Sequence, residues 1–293
     1  MTAEHAIVIA GPTASGKSAF ALDMAERHGG MIVNADSMQV YEELNILTAR
    51  PGPADTGRVP HRLYGFRSGA EPYSVGQWLE DAAEALAEAR RSGHVPIVVG
   101  GTGLYFKALF EGLSPVPEIA QEIRAYWRDR AEQADAPALH AMLAARDPAA
   151  AAQLRPSDTQ RILRALEVID ATGHSITAWQ EHAGTPLLGE SRTRKFVVAP
   201  ERAALYRACD TRAERMIAAG AADEVAALLG QDLDPSLPVM RAIGVRPLTA
   251  YLRGEIDLPA ALLRLQTETR RYAKRQLTWA RRNMISWKWI IPE

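Results

Sequence analysis

Ile7-Val8-Ile9-Ala10 is a short uninterrupted apolar run that stops at Gly11. Runs of this length bounded by turn residues suit a strand buried on both faces. Lys17 to His28 follows with apolar positions at helical spacing, so strand, loop and helix stand in that order. The alternation then repeats. Met31 to Ala35 predicts a second strand, and Ser74 to Arg91 predicts an Ala- and Leu-rich helix with Ser74 as its N-cap and Ser92-Gly93 as its stop. Val95 to Val99 predicts another strand, which runs into Gly100-Gly101-Thr102-Gly103. Strands alternating with helices imply a mainly parallel sheet flanked by helices, with ligands at the carboxyl ends of the strands.

The pattern changes past the Pro-punctuated segment Leu113-Ser114-Pro115-Val116-Pro117. Residues 118–180 are Ala- and Arg-rich with helical spacing and almost no β signal, which predicts a helical insertion. A β run returns at Lys195 to Ala199, followed by helices expected at about 201–219, 221–229 and 258–283. The expected architecture is therefore α/β and P-loop NTPase-like. Residues 1–116 form the first part of the core, 117–192 a helical insertion domain, and 193–293 the second part with a basic C-terminal helix.

Composition narrows the class. With 293 residues, 47% of them hydrophobic and 24% charged, the chain suits one large α/β core and a smaller unit, and is neither disordered nor fibrous. Its single cysteine, Cys209, excludes a disulfide framework and a cysteine-cluster zinc site, and within a helical pattern it reads as a small core residue. The start Met1-Thr2-Ala3-Glu4-His5 has no basic leader, and no apolar stretch nears the ~20 residues of a membrane span. A soluble, cytoplasmic protein is expected, and nothing signals an interface, so a monomer. The net charge of −1 hides a strong asymmetry: Arg264 to Lys288 carry eight Lys/Arg against one acid, Glu268. Such a block offers a surface to an anionic partner.

Gly11-Pro12-Thr13-Ala14-Ser15-Gly16-Lys17-Ser18 satisfies the Walker A pattern, between a β run and a helix start. Backbone N–H groups of such a loop surround phosphate oxygens, the helix N-terminus adds positive potential, Lys17 supplies a point charge, and the Ser18 hydroxyl can ligate Mg²⁺. The loop fixes the ligand class and leaves the reaction open. A kinase or NTPase uses the same cradle as a transferase whose leaving group is pyrophosphate, because both stabilise charge on phosphate oxygens.

The remaining candidates stand between chemistry and plain structure. Asp36, in Asn34-Ala35-Asp36-Ser37-Met38-Gln39 at the end of the second β run, can coordinate Mg²⁺, accept a proton from an amine or hydroxyl, or simply cap the next turn. Thr102 in the second Gly loop can approach the same ligand, although a tight strand-to-helix turn explains the glycines equally well. Arg124 reads as a solvated helix residue, and Arg161 and Arg164, three apart on one face, read as surface ion pairs or as phosphate ligands. In the C-terminal helix Arg264, Arg271, Arg275 and Arg282 share one face, with Arg270, Lys274 and Arg281 in an adjacent stripe. Two basic stripes suit a phosphate backbone; Tyr272 and Trp279, seven apart, suit packing against the core or stacking on a base.

Together these motifs resemble the bacterial tRNA dimethylallyltransferase (tRNA isopentenyltransferase) family, whose members transfer an isoprenoid group to the N6 amine of the adenosine beside the anticodon, position 37. The resemblance rests on residues 11–18, Ala-Asp-Ser-Met-Gln-Val-Tyr at 35–41, Thr48-Ala49-Arg50-Pro51, and Pro60-His61-Arg62-Leu63. It continues through Gly100-Gly101-Thr102-Gly103-Leu104-Tyr105, Asp158-Thr159-Gln160-Arg161 and Lys274-Arg275-Gln276-Leu277-Thr278-Trp279. It implies that the loop from Gly11 to Ser18 holds the diphosphate of dimethylallyl diphosphate with Mg²⁺ near Ser18. It also implies that Asp36 is general base toward the amine, with Thr102 and Arg212 beside the reaction. By the same mapping, Asp36, Ser37, Met38, Gln39, Thr102 and Arg124 contact tRNA, as do Gln160, Arg161, Ile162, Leu163 and Arg164. So do Arg241, Arg246, Lys274, Arg275, Gln276, Thr278, Trp279 and Arg281, while the insertion closes on the anticodon stem.

The chain departs from the family's usual pattern at three places. Arg-Gly-Leu-Asp-Ile-Gly appears as Glu42-Glu43-Leu44-Asn45-Ile46-Leu47, losing a basic residue and two glycines. In Leu-x-x-Arg-Ile-x-x-Arg the first Arg becomes Ala208 and the second survives as Arg212, and Arg-x-x-Gly-Tyr-Arg loses its aromatic ring to Val245.

Overall fold

The computed structural model describes residues 6–182 and 184–292. Its centre is a six-stranded parallel sheet in the order β3-β2-β4-β1-β5-β6, formed by β1 (Ala6–Ala10), β2 (Gly30–Ala35), β3 (His61–Arg62), β4 (Val95–Gly100), β5 (Thr193–Val198) and β6 (Lys288–Ile290). The continuous apolar strands are explained by burial on both faces. Ala6, Val8 and Ala10 join Val33, Val98, Trp78 and Leu277 on one side, while Ile7 and Ile9 join Ile32, Ile97 and Phe196 on the other. The strands expected from periodicity are all present within two residues of their predicted ends. β3 and β6, at two and three residues, are too short to leave a pattern.

The helices of the first half are α1 (Lys17–His28), α2 (Pro53–Thr56), α3 (Val75–Arg91) and α4 (Gly103–Glu111). α1 starts after Gly16 (φ 83°) and ends at Gly29 (φ 61°), two left-handed positions that suit glycine. Ser74 caps α3 as expected and forms a full capping box with Gln77. Those that follow are α5 (Gln121–Gln133), α6 (Ala136–Arg146), α7 (Pro148–Gln153), α8 (Thr159–Thr172) and α9 (Ile176–Gln180). The last four are α10 (Arg202–Ala218), α11 (Ala221–Leu229), α12 (Val245–Leu252) and α13 (Leu258–Asn283). None of the described helices is long and apolar enough to cross a membrane.

The chain divides into two compact units. One runs to Phe110 and resumes at Leu187; the other is Glu111–Pro186, set against the 117–192 expected from the sequence. The second unit contains α5 to α9 around a core of Trp127, Leu139, Leu143, Ile162 and Leu166. Asp158 caps α8 through Arg161 N, and Gly173 ends it in the left-handed region.

Candidate active site

β2, β4 and β1 are neighbours in the sheet, so the three loops that leave their carboxyl ends lie side by side. The loop after β1 is shaped by close approach: a Cβ at Gly11 would lie 2.5 Å from Val198 O. Ala14 (φ 61°) and Gly16 (φ 83°) are both left-handed, the conformation from which anion-binding backbone nests are built. Ser15 Oγ is buried and has no hydrogen-bond partner. Lys17 Nζ donates to Pro12 O at 3.3 Å. Burial pushes the Lys17 ammonium down to about 8; the Asp36 carboxylate opposes that shift and the Arg212 guanidinium adds to it.

The loop after β2 turns on the buried side chain of Asn34. Its Nδ2 donates to Asp36 O and Leu63 O at 2.9 Å, its Oδ1 accepts from Asp36 N at 2.8 Å, and its own carbonyl accepts from Trp78 Nε1. Asp36 Oδ1 accepts from Met38 N at 3.0 Å, so the carboxylate does cap the next turn. It also faces a cavity, so capping and chemistry share one side chain. Thr102, from the loop after β4, fastens the two loops: its N donates to Ala35 O at 3.2 Å, and its hydroxyl accepts from Ser37 N at 3.0 Å. A Cβ at Gly100 would lie 2.0 Å from Ala35 O, so only glycine fits there.

The loops after β1 and β2 form one end of a cavity of about 260 Å³. Thr13, Asp36, Thr48 and Arg212 supply its polar end, and Met38, Leu47, Met216, Ile243 and Leu265 its apolar wall, with Arg241, Tyr272 and Arg275 also lining it. Arg212 and Met216 are shared with a wider cavity of about 870 Å³, lined by Ala14, Gly16, Arg50, Arg207 and Arg215 among others. Ala208 also faces that space, where Arg207 and Arg215 supply positive charge. Arg212 Nη2 donates to Thr48 O at 2.9 Å. Burial lowers the pKa of Arg212 while Asp36 raises it, and burial followed by the Asp36 charge raises that of Tyr272.

The basic helix is α13, and Lys274, Arg275, Thr278 and Arg281 are exposed on it. Trp279 packs inward, its ring 2.5 Å from where a Cβ on Gly103 would stand. Two sequence expectations need correction here. Arg270 leaves the basic stripe to form an ion pair with Asp210, and Gln276 turns inward, bonded to both Thr13 N and Gly101 O. Gln39 likewise donates to Thr48 O and Ala49 O. Arg246, on α12, is exposed.

In the second unit Gln160 and Arg124 are exposed, Arg161 pairs with Asp158 at 3.5 Å and Arg164 with Glu167 at 3.4 Å. Ile162 is fully buried in that unit's core, so its side chain is not contact surface, and Leu163 packs against that core half-buried.

Glu224 is a residue that sequence reasoning missed. Its carboxylate accepts from Asn45 N, Ile46 N and Leu47 N at 2.6, 2.7 and 2.9 Å, gathering the loop that carries Leu47 and Thr48 into the cavity. The altered segment has thus become structural: Glu43 accepts from Gly69 N, and Leu47 is buried. No local pattern marks a carboxylate whose partners lie nearly 180 residues away.

The IPP transferase family model matches residues 39–283, and the isopentenyl transferase model matches residues 4–64. A tRNA dimethylallyltransferase of Rhodopseudomonas palustris strain BisB18 is 54% identical over 289 residues, spanning 99% of this chain and 92% of its own length. One from Azorhizobium caulinodans is 54% identical over 288 residues, spanning 98% and 92%. Among solved structures, the full-length tRNA isopentenylpyrophosphate transferase of Bacillus halodurans superposes with a TM-score of 0.69 at 31% identity, over 98% of this chain and 90% of that one. A eukaryotic dimethylallyltransferase acting on tRNA reaches a TM-score of 0.80 at 27% identity, over 94% and 69%. With the phosphate loop, Asp36 and the basic helix in place, these matches assign the chain to the IPP transferase family, that of the tRNA dimethylallyltransferases.

Proposed function

We propose that the protein transfers the dimethylallyl group of dimethylallyl diphosphate to the N6 amine of the adenosine at position 37 of tRNA, beside the anticodon. The observation that carries this is the shared cavity: Asp36, Arg212 and the start of the phosphate loop meet an apolar wall in one space of about 260 Å³. The apolar wall beside the phosphate loop suits the isoprenoid chain of the donor. The adenosine leaves its stack, and its amine attacks the allylic carbon as the carbon–oxygen bond to diphosphate breaks. Asp36 takes the amine proton. Lys17, Arg212 and loop amides stabilise the charge gathering on the departing diphosphate. Thr102 holds the Asp36 loop in place through Ser37.

The loop also fits Mg²⁺. The unpartnered Ser15 hydroxyl and the exposed Ser18 are oxygen ligands of the right kind. Among the described residues no three acidic, His or Cys side chains gather to hold a metal alone, so diphosphate oxygens would complete its shell. Bound there, Mg²⁺ supplies charge neutralisation of the leaving group.

On this reading Lys274, Arg275, Thr278, Arg281, Arg241 and Arg246 meet tRNA from the α/β unit, and Arg124, Gln160, Arg161 and Arg164 meet it from the helical unit. On the same reading the enzyme works in the cytoplasm as a monomer. The test is mass analysis of tRNA incubated with the protein, dimethylallyl diphosphate and Mg²⁺. One added dimethylallyl group on the adenosine beside the anticodon is expected; unchanged adenosine there sinks the reading.

A further inference from the structure

Gln276 lies in the stretch of α13 whose neighbours are exposed and basic, yet both ends of its amide are used inside the protein. Its Oε1 accepts from Thr13 N at 2.8 Å and its Nε2 donates to Gly101 O at 2.9 Å, joining segments 263 and 175 residues away. The fit is close, since a Cβ at Gly101 would lie 2.1 Å from Nε2. On the same helix Tyr272 and Arg275 line the cavity and Trp279 packs on Gly103.

We infer that Gln276 is a positioning residue for the diphosphate loop, fixing it against the Gly100–Gly103 loop and so against Asp36. The inference rests on the proposed reading of residues 11–18 as the donor's diphosphate site, and it replaces a tRNA-contact role for this side chain. The chemistry asks for an amide: one partner is an N–H donor and the other a carbonyl acceptor, and only a group that both accepts and donates serves both. A carboxylate would face the Gly101 carbonyl without a proton to share, and an ammonium would leave the Thr13 N–H unpaired. From Gly101 the link continues to the base, because Gly100 abuts Ala35 and Thr102 holds Ser37. Register between donor and base is thus set from α13.

Two variants test this independently. Gln276→Met keeps similar bulk and removes both hydrogen bonds; Gly101→Ala leaves Gln276 in the sequence but takes the space its amide occupies. Each should raise the KM for dimethylallyl diphosphate about tenfold, the cost of a lost buried hydrogen bond. Direct binding of an anticodon stem-loop RNA should stay within about twofold of the parent, because no RNA contact is removed. The double variant should be no worse than the more severe single, since both break one link. Gln276→Glu keeps the acceptor for Thr13 but sets a negative charge against the Gly101 carbonyl and beside the diphosphate, so its donor KM should rise at least as much as that of Gln276→Met.

A purely structural role would lower the unfolding midpoint and the active fraction, hence kcat, and leave the donor KM alone. An unchanged donor KM, RNA binding weakened as much as donor use, or additive losses in the double variant would each overturn the inference. Product formation by the parent is the separate check on the proposed function, so failure of one is distinguishable from failure of the other.

Discussion

The Asp36 carboxylate carries two duties: Oδ1 holds the Met38 amide, and the same group faces the cavity. Asp36→Asn keeps an oxygen for the turn and loses the base. Turnover should therefore drop about 100- to 10,000-fold, while binding of dimethylallyl diphosphate, followed by calorimetry, stays near the parent value. Equal loss of both would remove Asp36 from the base role. Lys17 sets a pH limb. Its ammonium, pushed down to about 8, is charged below that pH and neutral above it, so kcat/KM for the donor should fall as pH rises through about 8. Bound diphosphate favours the ammonium and raises its pKa, so kcat under saturation should hold to higher pH. A donor kcat/KM that stays flat between about pH 7 and 9.5 would contradict the assignment.

At the scale of elements, Glu224 on α11 gathers three consecutive amides of the loop that aims Thr48 O at Arg212. Glu224→Ala strands those amides, and should cost about 1–3 kcal/mol in urea unfolding as well as raising the donor KM. A variant with parent stability and parent KM would show the contact to be idle. The longer elements were readable from the chain because local chemistry and burial agree there. α1 is bounded by a Walker loop and by Gly29, α3 by Ser74 and its capping box, and α13 begins at the Asp257 cap. β3 and β6 escape that reading because their pairing is set by neighbours in the sheet and not by their own two or three residues. The site was legible in the same unequal way. The phosphate loop and Asp36 stand in local motifs, and exposed Lys274 and Arg281 follow from helical spacing. Gln276, Glu224 and Arg270 were not legible in their actual roles, because each is decided by a partner between 60 and 263 residues away.

At the scale of the whole chain, the Glu111–Pro186 unit has its own core, with Trp127 fully buried and its indole N–H donating to Asp170 at 2.8 Å. Trp127→Ala should cost that unit about 3–5 kcal/mol, seen as protease cleavage confined between residues 111 and 186, while donor binding by the α/β unit survives. Loss of donor binding in step with cleavage would show that the two cores are not separable. Association with tRNA should weaken steeply with salt, and Lys274→Ala and Arg281→Ala should each reduce the slope of log K against log salt by about 1 if each meets one phosphate. The sheet itself ends in its two shortest strands. Among the described residues the four inner strands of five or six residues each have a neighbour on both sides, and β3 and β6, two and three residues long, are the edges. The edge strands themselves offer only two and three residues, Arg62 and Lys288 among them, which is too little for a second copy of the chain to add a strand to and so guards these edges against edge-to-edge aggregation.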